Sequence, residues 1–248
     1  MAGLATEISI NNNDQLSFIL ASHPKKELIM NKNCKHYIEW WLEQEKLRMS
    51  NGVTVKITLA GIKLAVIPQV FLPSPLQTHS TPLLIKNINH LDFTGKKVLD
   101  IGTGSGILAI YSALNGASLI TATDINDDIL HHAKHNAYLN KVTDIRFINS
   151  NIFESVDGKY DYIFANGPIS PASWPEKKLS GHTISSYGET LFSQYRDYLT
   201  NEGVMFMTFA EFGPTETFYK MLQKYSVEHK EKRETKFGVW WSFHEISK

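Results

Sequence analysis

Only one cysteine, Cys34, occurs in the 248 residues, which excludes an intrachain disulfide framework and fits a reducing compartment. No apolar stretch approaches the ~20 residues of a membrane span, and no positively charged, apolar segment opens the chain, so a soluble, cytoplasmic protein is expected. Neither sign of charge prevails. Lys+Arg and Asp+Glu number 25 each, which leaves no global field to draw in nucleic acid or an anionic membrane. Internal repeats are absent, and the only low-complexity tract is the polar run 11–14. The length suits one large α/β domain with a modest addition, because single cores stop growing near ~250 to 300 residues.

What is present is an alternation of short apolar runs with helical patterns. From about 14 to 49 the pattern is helical in pieces, broken at Pro24, with Ile38, Trp41, Leu42 and Met49 at helical spacing before Ser50-Asn51-Gly52. This predicts an N-terminal helical cap over 1–52. Strict alternation over 53–59, a turn at Gly61 and a second apolar run over 62–67 read as a β-hairpin. A short helix over 83–88 follows. Strands are then predicted at 98–101, 119–123, 145–148, 160–165 and 204–209, with helices at 107–114, 189–199 and 215–225 and one capped by Asn126. Two closing strands, 227–232 and 237–246, can add an antiparallel edge. The pattern specifies a doubly wound, mostly parallel seven-stranded sheet in one domain over 53–248, with ligands at the carboxyl ends of its strands.

The most informative run is 98–110, VLDIGTGSGILAI: an apolar strand ends on Asp100, and a glycine-spaced turn opens an apolar helix. Gly102, Gly104 and Gly106 remove side chains where backbone must turn tightly and lie close to a ligand. A dinucleotide fingerprint would need glycine at 107, where the chain has Ile107. A carboxylate at the strand end repels a pyrophosphate and receives an ammonium, directly or through water, so the preferred ligand carries a cation. A nicotinamide-dependent dehydrogenase is correspondingly disfavoured.

The segment from Asp100 to Gly106, with Thr103 inside it, resembles motif I of the class I methyltransferases, which use S-adenosylmethionine. That resemblance implies a Rossmann-like fold and cofactor contacts from Asp100, Gly102, Thr103, Gly104 and Gly106. Asp124 ends the second strand, 20 residues after Gly104, where an acid in such folds accepts from both ribose hydroxyls. Ile125 beside it offers an apolar surface for the adenine face. Asn151-Ile152 follows the third strand, where the family has an acid that receives the adenine amino group; the Asn carbonyl can take that role. Ahead of the core, Pro73-Ser74-Pro75 leads through Leu76 and Gln77 to Thr78, similar to a segment that helps close the cofactor pocket in glutamine-N5 enzymes.

The run 160–169, YDYIFANGPI, resembles the N-P-P-(Tyr/Phe) motif of methyltransferases acting on planar or amide nitrogens. The resemblance implies that the Asn166 side-chain oxygen and the following backbone carbonyl accept the protons of a target amino group. Asn166 and Pro168 match that motif; Gly167 and Ile169 do not. Gly167 keeps the carbonyl but loses the ring that fixes φ, and Ile169 cannot stack on a flat base. The kin suggested are the ribosomal RNA guanine-N2 and release-factor glutamine-N5 enzymes. Neutral charge and the missing aromatic favour an amino, amide or guanidine nitrogen of a small molecule as acceptor. A protein glutamine or ribosomal guanine is the second reading, and a catalytically silent binding subunit the third. No metal is expected, since His131 and His135 stand at i, i+4 without a third ligand. His79 and His182 read as loop residues flanking the pocket, and Trp40, Trp41, Trp240 and Trp241 as packing residues.

Overall fold

In the computed structural model, which describes residues 7–10, 34–76, 78–167, 184–211 and 214–248, the apolar runs assemble into two sheets. The smaller contains β1 (Glu7–Ile10), β2 (Thr54–Leu59) and β3 (Ile62–Val66), with β1 parallel to β2 and β3 completing the predicted hairpin. β1 is missing from the sequence expectation, because four residues are too few to show a period. Preceding the hairpin is α1 (Cys34–Ser50). Its buried stripe is Tyr37, Trp41, Glu45 and Arg48. Half of that stripe is charged, which is why apolar periodicity locates it only partly. Arg48 pairs with Glu45 and donates to the carbonyls of Ile67 and Val70, both at 2.8 Å. Burial of these charges is tolerable because each is the other's partner. The predicted helical pieces at 14–33 lie outside the described residues.

The larger sheet has the order β6-β5-β4-β7-β8-β10-β9. Its strands are β4 (Lys97–Ile101), β5 (Leu119–Asp124), β6 (Ile145–Asn149), β7 (Tyr160–Phe164), β8 (Leu199–Ala210), β9 (His229–Lys236) and β10 (Val239–Ser247). The first five are parallel, and β10 is antiparallel to both β8 and β9. α2 (Ser80–Ile88) and α3 (Ile107–Leu114) pack on one face through residues such as Leu84 and Ile110. α5 (Ile184–Tyr198) and α6 (Thr215–Lys224) cover the other with Leu191, Phe192 and Phe218. α2 begins three residues earlier than expected. Pro82 sits in its first turn, where no intrahelical N–H is required, so the proline does not delay the helix.

α4 (Asp127–Leu139) starts as predicted: the Asn126 side chain accepts from the Asp128 amide at 2.9 Å. Asn126→Ala is expected to lower the unfolding free energy by about 1 kcal/mol, read by urea denaturation. The same helix shields the free edge of β3. Asn136 accepts from the Ala65 amide at 2.9 Å, and Asn140 exchanges two hydrogen bonds with Lys63. Asn136 also donates to the Ser105 carbonyl at 2.9 Å, so one side chain ties the hairpin to the glycine turn. Among the described residues no helix is long and apolar enough to cross a membrane.

Candidate functional site

The strand order reverses at β4: β5 and β6 lie on one side of it, β7 and β8 on the other. A crevice opens at the carboxyl ends of strands at such a switch point, and a cavity of about 350 Å³ lies there. Asn151, Asp124, Asp100 and Asn166 line it, delivered by β6, β5, β4 and β7 in that spatial order. Three strand spacings separate the outer two, roughly 14 Å.

Asp100 is almost fully buried, and its Oδ2 accepts from Thr103 Oγ1 at 2.6 Å and the Ala109 amide at 3.2 Å. Among the described residues no donor reaches its Oδ1. Burial pushes this carboxyl up to about 7, with the neighbouring Asp124 charge adding and the two hydrogen bonds opposing. Asp124 is also raised, chiefly by burial. Its two oxygens accept from the Gly104 and Asn126 amides, each at 3.2 Å, so the second strand anchors the glycine turn. Gly102 adopts φ +66° with open space where a side chain would stand. Gly106 does not line the cavity. It opens α3 at φ +82°, and a methyl there would press on Ala133 at 3.2 Å, so its glycine serves helix packing.

The turn after β6 holds a sharper signal. Ile152 sits at φ +57°, a costly conformation for a β-branched residue, braced by Ser150, whose hydroxyl donates to the Ile152 carbonyl and accepts from the Ser155 amide. Asn151 Nδ2 donates to Glu154 at 2.9 Å, and since a carboxylate only accepts, this fixes which way the amide points. Its Oδ1 is buried with no partner among the described residues. Ile125 lines the same cavity with about half its surface exposed.

At the other end, Asn166 is clamped by two residues that sequence reasoning missed. Its Nδ2 donates to Thr81 Oγ1 at 3.1 Å, and Thr208 Oγ1 donates to its Oδ1 at 2.6 Å, leaving that oxygen one lone pair. Thr208 was visible as an isolated hydroxyl in the otherwise apolar run 204–210, a pattern that asks for a partner. Gly167 has a steric reason: a methyl built on it would lie 2.5 Å from Cζ of Tyr187, so any side chain there would have to displace the Tyr187 ring. Tyr187 left no sequence signal, because the predicted helix starts two residues after it. Pro168, Ile169 and His182 lie outside the described residues.

Thr78 lines the cavity, but its hydroxyl donates to the Leu72 and Ser74 carbonyls and staples the loop ahead of α2. His79 is not a solvated loop residue flanking the pocket; it is buried at the start of α2 and paired with Glu234, which also binds Lys86. Trp41 and Trp241, expected only to pack, also wall the cavity together with Tyr37 of α1. His131 and His135 stand exposed on α4, and no three metal-ligating groups converge among the described residues.

Residues 77–169 match the family Ribosomal protein L11 methyltransferase (PrmA). The "Putative protein N5-glutamine methyltransferase" of Methanocaldococcus jannaschii is 42% identical over 141 residues, covering 57% of this chain and 65% of that protein. The ribosomal protein L11 methyltransferase of Lactobacillus acidophilus is 40% identical over 87 residues, covering 35% of this chain and 28% of that protein. The chain therefore spans less than two thirds of the length of either relative. The crystal structure of the ribosomal protein L11 methylase from Lactobacillus delbrueckii subsp. bulgaricus superposes with a TM-score of 0.55 at 28% identity, over 68% of this chain and 78% of that one.

Proposed function

We propose, for a chain that carries a class I S-adenosylmethionine-dependent methyltransferase domain, that it transfers a methyl group to an amino or amide nitrogen of a protein. The observation that carries this reading is the row of Asn151, Asp124, Asp100 and Asn166 along one cavity. The first three suit the cofactor. The unpartnered Asn151 oxygen matches an adenine amino group, Asp124 matches ribose hydroxyls, and the open oxygen of Asp100 matches an ammonium. Ile125 offers the adenine an apolar face, and the exposed backbone at Gly102 leaves room for close approach. When bound, S-adenosylmethionine supplies an electrophilic methyl carbon on a sulfonium sulfur.

Asn166 Oδ1 and the Gly167 carbonyl accept the N–H hydrogens of the incoming nitrogen and hold its lone pair towards the methyl. Holding the two at near-attack distance accounts for much of the barrier reduction, and no strong base is needed when the nitrogen sheds its proton to water after attack. Tyr37 and Trp41 of the N-terminal extension, residues 1–52, wall the cavity and limit water, while 53–248 carry the chemistry. The names of the relatives favour a protein acceptor and lend no support to the small molecule favoured from the sequence. Isothermal titration with S-adenosylmethionine and its demethylated product is expected to give saturable binding, with dissociation constants of roughly 1 μM to 1 mM. No binding of either would overturn the cofactor assignment. Binding without transfer to any protein acceptor would leave the silent-subunit reading.

A further inference from the structure

Tyr187 is 5% exposed, lines the cavity, and has no hydrogen-bond partner for its hydroxyl among the described residues. A buried hydroxyl left unpaired costs about 1–3 kcal/mol, so its presence calls for an explanation. Its position supplies one. The hydroxyl oxygen lies 2.7 Å from where a Gly167 methyl would be, directly beside the residue that offers the backbone carbonyl next to Asn166. Burial, with the charges of Asp100 and Asp124 adding, raises the phenol well above its ordinary range, so it stays protonated and can donate.

Asn166, Gly167 and Tyr187 all line this end of the cavity, and between them they carry two acceptors, Asn166 Oδ1 and the Gly167 carbonyl, and one donor, the Tyr187 O–H. A primary carboxamide presents the complement, two N–H hydrogens and one carbonyl oxygen. An alkylamine presents hydrogens alone and would leave the phenol unpaired. We propose that the Tyr187 hydroxyl donates to the carbonyl oxygen of the acceptor and makes the site select a primary carboxamide over an amine; this rests on the methyl-transfer reading above. The loss of side chain at 167 and the aromatic at 187 are then one device, the glycine making room for the donor.

The test uses the full chain, S-adenosylmethionine, and two short peptides that differ only in a central glutamine or lysine. Wild type is expected to favour the glutamine peptide by about 100-fold or more in kcat/KM. Tyr187→Phe is expected to lose about 10-fold to 100-fold on that peptide while its calorimetric affinity for the demethylated cofactor stays within about twofold, which also certifies its fold. An unchanged rate in Tyr187→Phe overturns the proposal. So does a loss of cofactor affinity that matches the loss of rate, which would assign the hydroxyl to the cofactor. Preference for the lysine peptide overturns the carboxamide assignment alone and leaves methyl transfer standing. A chain that binds cofactor yet methylates neither peptide overturns the proposal together with the reading beneath it.

Discussion

Asn166→Ala is expected to slow methyl transfer about 100-fold while leaving cofactor affinity within about twofold. The separation follows from where the side chain acts. Asn166 leaves β7, at the opposite end of the row from Asn151, and its oxygen has one lone pair beyond the bond from Thr208. In the proposed role its loss would free the incoming nitrogen to rotate and drift, and a misplacement of about 1 Å is enough for a 100-fold penalty. Alanine also strands the hydroxyls of Thr81 and Thr208, at about 1–2 kcal/mol, which a domain of this size survives. Single-turnover rates beside calorimetric cofactor binding check both halves. A full-speed variant would remove Asn166 from acceptor positioning.

Asp100→Asn is expected to weaken cofactor binding by about 100-fold at about pH 8, and to make the ligand-free protein more stable at the same pH. Burial pushes the folded carboxyl up to about 7 from its ordinary 3.8. Between those values the folded chain holds the proton and the unfolded chain has released it. The unfolding free energy of the wild type therefore falls as pH rises from about 4 to 7, by up to about 4 kcal/mol. Asparagine cannot ionise, so the advantage of the variant grows across that window and vanishes at about pH 4. Cofactor affinity of the wild type is expected to run the other way: the proposed ammonium partner needs the carboxylate, so binding should weaken about tenfold per pH unit below 7. Thermal unfolding and calorimetry at the two pH values separate these effects. Equal affinities in wild type and variant would dismiss Asp100 as the ammonium's partner.

Much of the architecture was legible because it is built from short-range rules. α3 ends at Leu114 ahead of Asn115-Gly116, and α4 starts from the Asn126 cap, since turn and capping chemistry act within a few residues. Strand boundaries were read less well where packing sets them. β8 runs back to Leu199, five residues before the apolar run begins at Val204, because Gly203 lets it lie close to the Tyr160 carbonyl on β7. Charged positions hid the buried face of α1 for a similar reason: Glu45 and Arg48 satisfy each other only once folded.

By itself, the amino-acid order determined the β/α alternation, the glycine bend, and the acids or amides that terminate successive strands. These follow from steric and hydrogen-bonding preferences between residues close along the chain. Tertiary structure alone decided which groups meet: Thr81 and Thr208 with Asn166, His79 with Glu234, and the Tyr187 ring against the bare α-carbon of Gly167. Those partners are brought together by strand order and helix packing, which no local pattern encodes.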